Sequence, residues 1–412
     1  MKYLTKKNAN LLIFGCWLVY TAAYVGRLNY SASMAEIIEQ LGISDPEGGL
    51  VYSCFAITYG IGQLVNGLLC KFYNPKYVIP GALCGSAAVN ILMPLSGDFR
   101  IMAGLWLVNG IVQSMLYSLI IRTISRNIKS GGISGAIYAM STTVAVGTAL
   151  AYGTSALFVA LDLWRVTFFV AGGALIAAAA VWFVIMSRIE AARARGEVED
   201  DDAAEKKQEP ETVKRGVSSF FLMTLIFVGV TAIANGFIKD GINNWLPKLL
   251  RVEYGVPDSL SIILTLLLPV FSIFGSIVAR KLYLKLRNHM LANGIFYSIS
   301  FALALLVFLI YPIRNVPITM VLFVGLACMM AAINNVITSM FPLDNRDKMD
   351  SGLLAGLMDT VCYAGSSLAG ILLGVIMEKS AGEGILITIF SFAAVAALIC
   401  MIFFLSTRKK KK

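Results

Sequence analysis

Residues 10–33 read NLLIFGCWLVYTAAYVGRLNYSAS, a run of 24 residues whose single charge, Arg27, lies well inside it. About 20 apolar residues carry an α-helix across the hydrocarbon core of a bilayer, so this run is long enough to span one. Residues 220–246, FFLMTLIFVGVTAIANGFIKDGINNWL, repeat the plan in the second half. Each stretch carries the dipeptide Thr-Ala, at 21–22 and at 231–232, and then a cation, Arg27 or Lys239. A cation at the centre of a bilayer costs at least about 2.5–3.5 kcal/mol, so each is expected to face a bundle interior or a water-filled cavity.

Similar runs fill the chain between and beyond these two. Of the 412 residues, 58% are hydrophobic and 14% charged, against roughly 45–50% and about 25% in a soluble domain. The excess apolar surface requires lipid as solvent. Twelve spans are expected: 10–33, 48–70, 77–96, 101–121, 133–157 and 166–186, then 220–246, 262–278, 290–310, 318–340, 353–377 and 385–405. The first is too long for a signal-peptide core and lacks a small-residue cleavage pattern, so it is expected to be retained. The seven cysteines fall in or beside spans without the close pairing of a metal site or disulfide framework, and read as small packing residues.

The net charge of +10 is a matter of sidedness. With both termini cytoplasmic, 26 of the 34 Lys and Arg residues fall on that side and 6 on the other, as the positive-inside rule requires. No folded basic face is left for a nucleic acid. Residues 188–216 form the long polar break, with the run Glu199, Asp200, Asp201, Asp202, and read as a solvated linker. This divides the chain into an N-terminal six-helix bundle (1–187), a cytoplasmic linker (188–216) and a C-terminal six-helix bundle (217–412). An all-α integral membrane protein of two pseudo-symmetric six-helix bundles is the plan of the major facilitator superfamily, whose substrate site lies between the halves. A monomer in the cell membrane, multi-pass, is expected.

Pseudo-symmetry would bring Arg27 and Lys239 to equal depth on opposite walls of one cavity. Two facing cations suit an anion: Arg presents a planar fork to phosphate or carboxylate, and Lys adds a point charge. Polar residues recur on helical stripes beside them: Tyr20, Tyr24 and Arg27; Tyr59, Gln63 and Asn66; Asn109, Gln113 and Tyr117; Asn235, Lys239 and Asn243; Asp359, Tyr363 and Ser366. Each stripe could instead join neighbouring helices. Asp359, an acid inside a span, has three readings: counter-ion to Lys239, protonatable coupling group, or contact to a cationic or hydroxyl part of the substrate. Asp240, about 100° around the helix from Lys239, is expected to face a neighbouring helix.

Several of these residues stand in motifs that resemble the organophosphate:phosphate antiporters of the major facilitator superfamily. The motifs are Tyr20-x3-Tyr24-x2-Arg27-x-Asn29, Tyr59-Gly60 followed by Gly67 and Asn74-Pro75-Lys76, Trp106-x2-Asn109-Gly110-x2-Gln113, Trp164-Arg165, Lys239-x5-Trp245-x-Pro247 and Tyr363-x-Gly365. The resemblance implies that Arg27 and Lys239 hold a phosphoryl group with Tyr20, Tyr24, Tyr59 and Tyr363 around it. Gln63, Asn109, Gln113, Asn243 and Asp359 complete the expected site. Departures are Lys71, where the family usually has an acid, Lys239, where arginine is commoner, and Val144, near which some members carry histidine. The lone histidine, His289, reads as a loop residue.

The activity expected is exchange of a phosphorylated small metabolite, of the sugar phosphate or glycerol phosphate class, for inorganic phosphate by alternating access. The alternatives are proton-coupled symport of an organic carboxylate such as a sugar acid, and a non-transporting membrane sensor of the same fold. The sequence has no G-x-x-x-x-G-K-[ST] loop, nucleophile constellation or metal-ligand cluster, so neither a cofactor nor enzymatic chemistry is expected.

Overall fold

The computed structural model describes residues 2–200, 218–345 and 348–409. Six helices form the first bundle: α1 (Lys6–Leu41), α2 (Asp45–Leu69), α3 (Pro75–Leu92), α4 (Phe99–Asn127), α5 (Ser130–Val159) and α6 (Trp164–Ala194). The second holds α7 (Ser219–Tyr254), α8 (Asp258–Leu286), α9 (His289–Ile310), α10 (Val316–Asn335) and α11 (Ser351–Lys409). Local sequence sets the ends. Ser44 and Glu47 form a capping box at the start of α2, and the side chains of Asn74, Asp98, Ser218, Asn288 and Asn315 accept backbone N–H groups at the starts of α3, α4, α7, α9 and α10.

α1 and α7 are both 36 residues long, and each ends on a left-handed glycine, Gly42 (φ 63°) and Gly255 (φ 65°). Arg27 stands 15 residues before Gly42 and Lys239 16 before Gly255. One residue is about 1.5 Å of rise, so pseudo-symmetry sets the two cations at nearly the same depth.

α11 is 59 residues long; straight, it would measure about 88 Å, several times what one crossing needs. Ala381 (φ 51°, ψ −148°) breaks it. Gly236 of α7 lies against Cys362 and Gly241 against Leu373, so the first arm (351–380) runs parallel to α7. Phe227 meets Phe403, Phe237 stacks on Phe392 and Leu249 approaches Gly382, so the second arm (382–409) runs antiparallel. Two arms make two spans, which brings the total to twelve in two bundles of six.

Three local features differ from the sequence expectation. α6 continues to Ala194, past the expected bundle end at 187, because 188–194 keep strong helix formers. Residues Lys2–Leu4 (β1) pair antiparallel with Val198–Asp200 (β2), a short ribbon in an otherwise helical chain. Of the expected linker, 201–216 lie outside the described residues. Third, α10 passes through a π-helical segment, Val336–Met340, into Phe341–Asp344. Outward faces are apolar where lipid would touch them: Ile226, Phe274, Leu398 and Ile402 are each more than half exposed.

Candidate substrate cavity

A cavity of about 460 Å³ lies between the bundles, with walls from α1, α2, α5, α7, α8, α10 and the first arm of α11. Arg27 and Lys239 both line it, as do Tyr24, Asn243 and Tyr363. Arg27 is only 6% exposed. Its guanidinium carbon sits 3.7 Å from the Tyr24 ring centroid, 5.1 Å from Tyr59 and 5.8 Å from Tyr20. Among the described residues no carboxylate forms an ion pair with it. Three aromatic faces therefore stabilise a charge that no described carboxylate pairs with.

Small residues make that cage possible. A methyl on Gly147 of α5 would stand 2.4 Å from Cβ of Tyr24, and one on Gly60 of α2 would stand 2.6 Å from Cβ of Tyr363. Tyr363 in turn meets Tyr59 edge-on at 5.0 Å. Tyr20 and Gln63 stand one layer back: Tyr20 packs on Tyr24 and Tyr117, and Gln63 Nε2 donates to the Tyr59 hydroxyl at 2.8 Å.

Asn109 and Gln113 stand apart from the cavity. Both are buried among α1, α3 and α4 and neither lines the cavity. Asn109 Nδ2 and Asn90 Nδ2 each donate to the Gly26 carbonyl at 3.0 Å. Gln113 Nε2 donates to Ser86 Oγ, which donates to Asn109 Oδ1. In a bundle core, amides such as these satisfy one another and backbone groups, so a polar stripe there joins helices. The network grips the backbone immediately before Arg27.

The opposite wall carries Lys239 and Asp240; Asp240 meets the neighbouring helix as expected, its Oδ2 accepting from Ser366 Oγ of α11 at 2.5 Å, but it also lines the cavity, with Oδ1 3.5 Å from Lys239 Nζ. A cavity this wide exposes more of α7 than one 100° step, so consecutive residues share it. Among the described residues Lys239 and Asp359 form no ion pair, the contact that the first of the three readings of Asp359 called for. Asp359 does not line the cavity. The lining charges are thus two cations and one acid.

Other lining residues were missed: Tyr52 and Tyr152, Asn244, Ser272 and Ser276 one turn apart on α8, and Asn334, Asn335 and Thr338 where α10 enters its π segment. The i, i+4 pairs were visible in the sequence but lay in spans with no charge to draw attention to them. Val144 also lines the cavity, whereas His289 stacks edge-on against Phe341 away from it.

One end of the cavity is sealed by contacts between the bundles. Lys248 pairs with Asp45, and Arg251 pairs with Glu39 and, at 3.7 Å, with Glu36, while also holding Asp258 at 2.9 Å. Beneath these, Ser53 Oγ donates to the Ser367 carbonyl at 2.6 Å and Ser367 Oγ to the Ser53 carbonyl at 3.1 Å. Here α2 and α11 touch through glycines: a methyl on Gly49 would be 1.9 Å from the Gly370 carbonyl oxygen. All cross-bundle ion pairs among the described residues lie at this end, the end of the α1–α2 turn.

Twelve spans in two bundles around a central polar cavity, sealed at one end, define a multi-pass membrane transporter. The chain belongs to the Major Facilitator Superfamily, whose sequence profile matches residues 16–349. Two relatives align along nearly its whole length. It is 24% identical over 411 residues to the glycerol-3-phosphate transporter of Bacillus subtilis (strain 168), covering 95% of this chain and 91% of that one. It is 20% identical over 390 residues to the probable sulfoacetate transporter SauU of Cupriavidus necator, covering 91% and 88%. Among solved structures, a bacterial homolog of the human lysosomal transporter Spinster, captured inward-facing and occupied, superposes with a TM-score of 0.76 at 15% identity over 98% of both chains. The last likeness concerns fold alone.

Proposed function

We propose that this transporter exchanges a phosphorylated small metabolite for inorganic phosphate by alternating access, with Arg27 and Lys239 gripping the phosphoryl group. The observation that carries this reading is that the two intramembrane cations, one from each bundle, line the same cavity. Tyr24 and Tyr363 line it beside them, and Tyr20 and Tyr59 support the cage. Asn243, Gln63 and Asp359 act around that grip; Asn109 and Gln113 hold Arg27's backbone in place. The two six-helix bundles, the first extended to Ala194 by α6, are the bodies that rock. Both termini face the cytoplasm in a monomer of the cell membrane, which makes the sealed end extracytoplasmic and the described state inward-facing.

The energetics fit this assignment. A phosphate placed between Arg27 and Lys239 offsets their mutual repulsion and so lowers the cost of bringing them together, which lets substrate favour the occluded state by differential affinity. Purified protein in vesicles preloaded with phosphate is expected to take up glycerol phosphate faster than in unloaded vesicles. Arg27→Ala is expected to remove that uptake while leaving folded protein. Uptake that ignores internal phosphate but follows an imposed proton gradient would instead support the second reading, proton-coupled symport of an organic anion such as a sugar acid. That reading is favoured by the sulfoacetate transporter among the relatives and by the acid Asp240 in the cavity wall.

A further inference from the structure

A second cavity, of about 710 Å³, lies entirely within the first bundle at the end that carries the N-terminus, where α2 and α4 end, α3 begins and α6 ends. Four cations line it: Lys71, Arg122, Arg126 and Arg193. The one acid in its wall, Glu190, is already engaged by Lys76 at 2.6 Å. Arg122 donates to the carbonyls of Cys70, Lys71 and Tyr73, and Arg193 donates to the side-chain oxygen of Asn127, all neutral groups. Among the described residues none of the four cations lies within ion-pair distance of a carboxylate. Such a concentration of like charge is unfavourable unless an anion joins it, since four positive groups around one hollow repel each other. Lys71, the departure noted in the sequence, supplies one of the four.

The surroundings indicate what kind of anion. The hollow opens beside exposed aromatic rings at the bundle's edge: Phe72, 74% exposed, forms part of its wall, and Tyr77 and Phe183 flank Lys76 next to it. Aromatic rings beside a cationic rim belong at the level of lipid headgroups, where acyl chains run along the apolar helix faces. We infer that this hollow holds the phosphate headgroup of an anionic phospholipid from the leaflet on the side of the N-terminus, with Lys71, whose ammonium lies 5.0 Å from the Phe72 ring, and Arg126 as its exposed cationic contacts and Arg122 fixed behind them. The site is independent of the central cavity and of what is transported.

The full-length protein in neutral detergent tests this, with phosphatidylglycerol and phosphatidylcholine titrated separately and both the unfolding temperature and the number of retained lipids read by native mass spectrometry. Phosphatidylglycerol is expected to raise the unfolding temperature and to be retained, while phosphatidylcholine does neither. Lys71→Gln with Arg126→Gln, both exposed positions, is expected to raise the phosphatidylglycerol concentration needed by roughly tenfold or more. Arg280→Gln with Lys285→Gln, which removes two exposed cations from the second bundle, is expected to leave it unchanged. Equal effects of the two lipids, or an unchanged titration in the Lys71/Arg126 variant, would overturn the inference. So would inorganic phosphate reproducing the shift in a Lys71/Arg126-dependent way, which would make this a site for a free anion. Retained lipid counts decide the matter if the variant's baseline stability falls.

Discussion

Replacing Gly49 with alanine adds one methyl group at the seam between the two bundles, and its effect can be worked out from the contact it would make. The new Cβ would stand 1.9 Å from the Gly370 carbonyl oxygen, where a carbon–oxygen contact settles at about 3.3 Å or more. Both partners belong to backbone, so no rotamer relieves the clash, and α2 and α11 must part by roughly 1.4 Å. The reciprocal Ser53–Ser367 bonds, now 2.6 and 3.1 Å, would stretch to about 4.0 and 4.5 Å, beyond hydrogen-bonding range. Overpacking costs about 1–3 kcal/mol and each lost bond about 0.5–1.5 kcal/mol, a total of roughly 2–6 kcal/mol against the sealed state. A state in which the bundles separate at this end does not bear that cost. The equilibrium should therefore shift toward it by a factor of about 30 or more. Spin labels on the α1–α2 and α7–α8 turns, with distances measured by pulsed electron resonance, should show a longer population in Gly49→Ala and slowed exchange. As a control, a methyl on Gly275 would meet the Cys328 carbonyl oxygen at the same 1.9 Å, but within the second bundle. Gly275→Ala should lower thermal stability and leave the interlabel distance alone. An unchanged distance distribution together with normal exchange in Gly49→Ala would refute the idea that this glycine contact sets the seal.

Three further outcomes follow from the cavity. Arg27→Lys keeps the charge but loses the planar fork, so phosphate-driven exchange in vesicles should fall by roughly tenfold to a hundredfold. Asp240→Asn removes the one acid lining the cavity; phosphate should bind several-fold tighter by thermal shift, while exchange slows because release becomes harder. Asn109→Ala leaves the Gly26 carbonyl and Ser86 short of a partner, at a cost of about 1–3 kcal/mol, so the unfolding temperature should drop with little change in the apparent affinity for substrate.

Span number and the two intramembrane cations were legible in the sequence, because length, hydropathy and charge are read directly from composition along the chain. The reversal at Ala381 was expected only as a break between 377 and 385; neither proline nor a glycine at that position announces it, although Gly382 follows. The stripes on α1 and α11 led to the cavity, since Tyr24, Arg27 and Tyr363 line it, but the stripe on α4 did not. Period alone cannot tell a helix face turned toward water from one turned toward a neighbouring helix; that depends on which helices pack on either side. Asp240 meets the neighbouring α11 through Ser366, as its place on the helix implied, but its share in the cavity was not foreseen, because the angle between neighbours on a helix limits what they share only when the opening is narrow. The polar positions of α8 and α10 escaped notice because serine, threonine and asparagine are common within transmembrane spans.

Tethering of the Gly26 carbonyl by two asparagine amides gives Arg27 a fixed mount in the first bundle, while Lys239 rides on α7 in the second. In the proposed mechanism the pair would serve as the jaws of a caliper whose gap is set by the tilt of one half against the other. On that proposal a ligand would be gauged by the distance between its anionic oxygens and, through that gap, would dictate how far the halves can swing. Discrimination among anions would then arise from dimension as much as from charge, and a ligand too bulky to let the jaws meet would bind yet fail to cross.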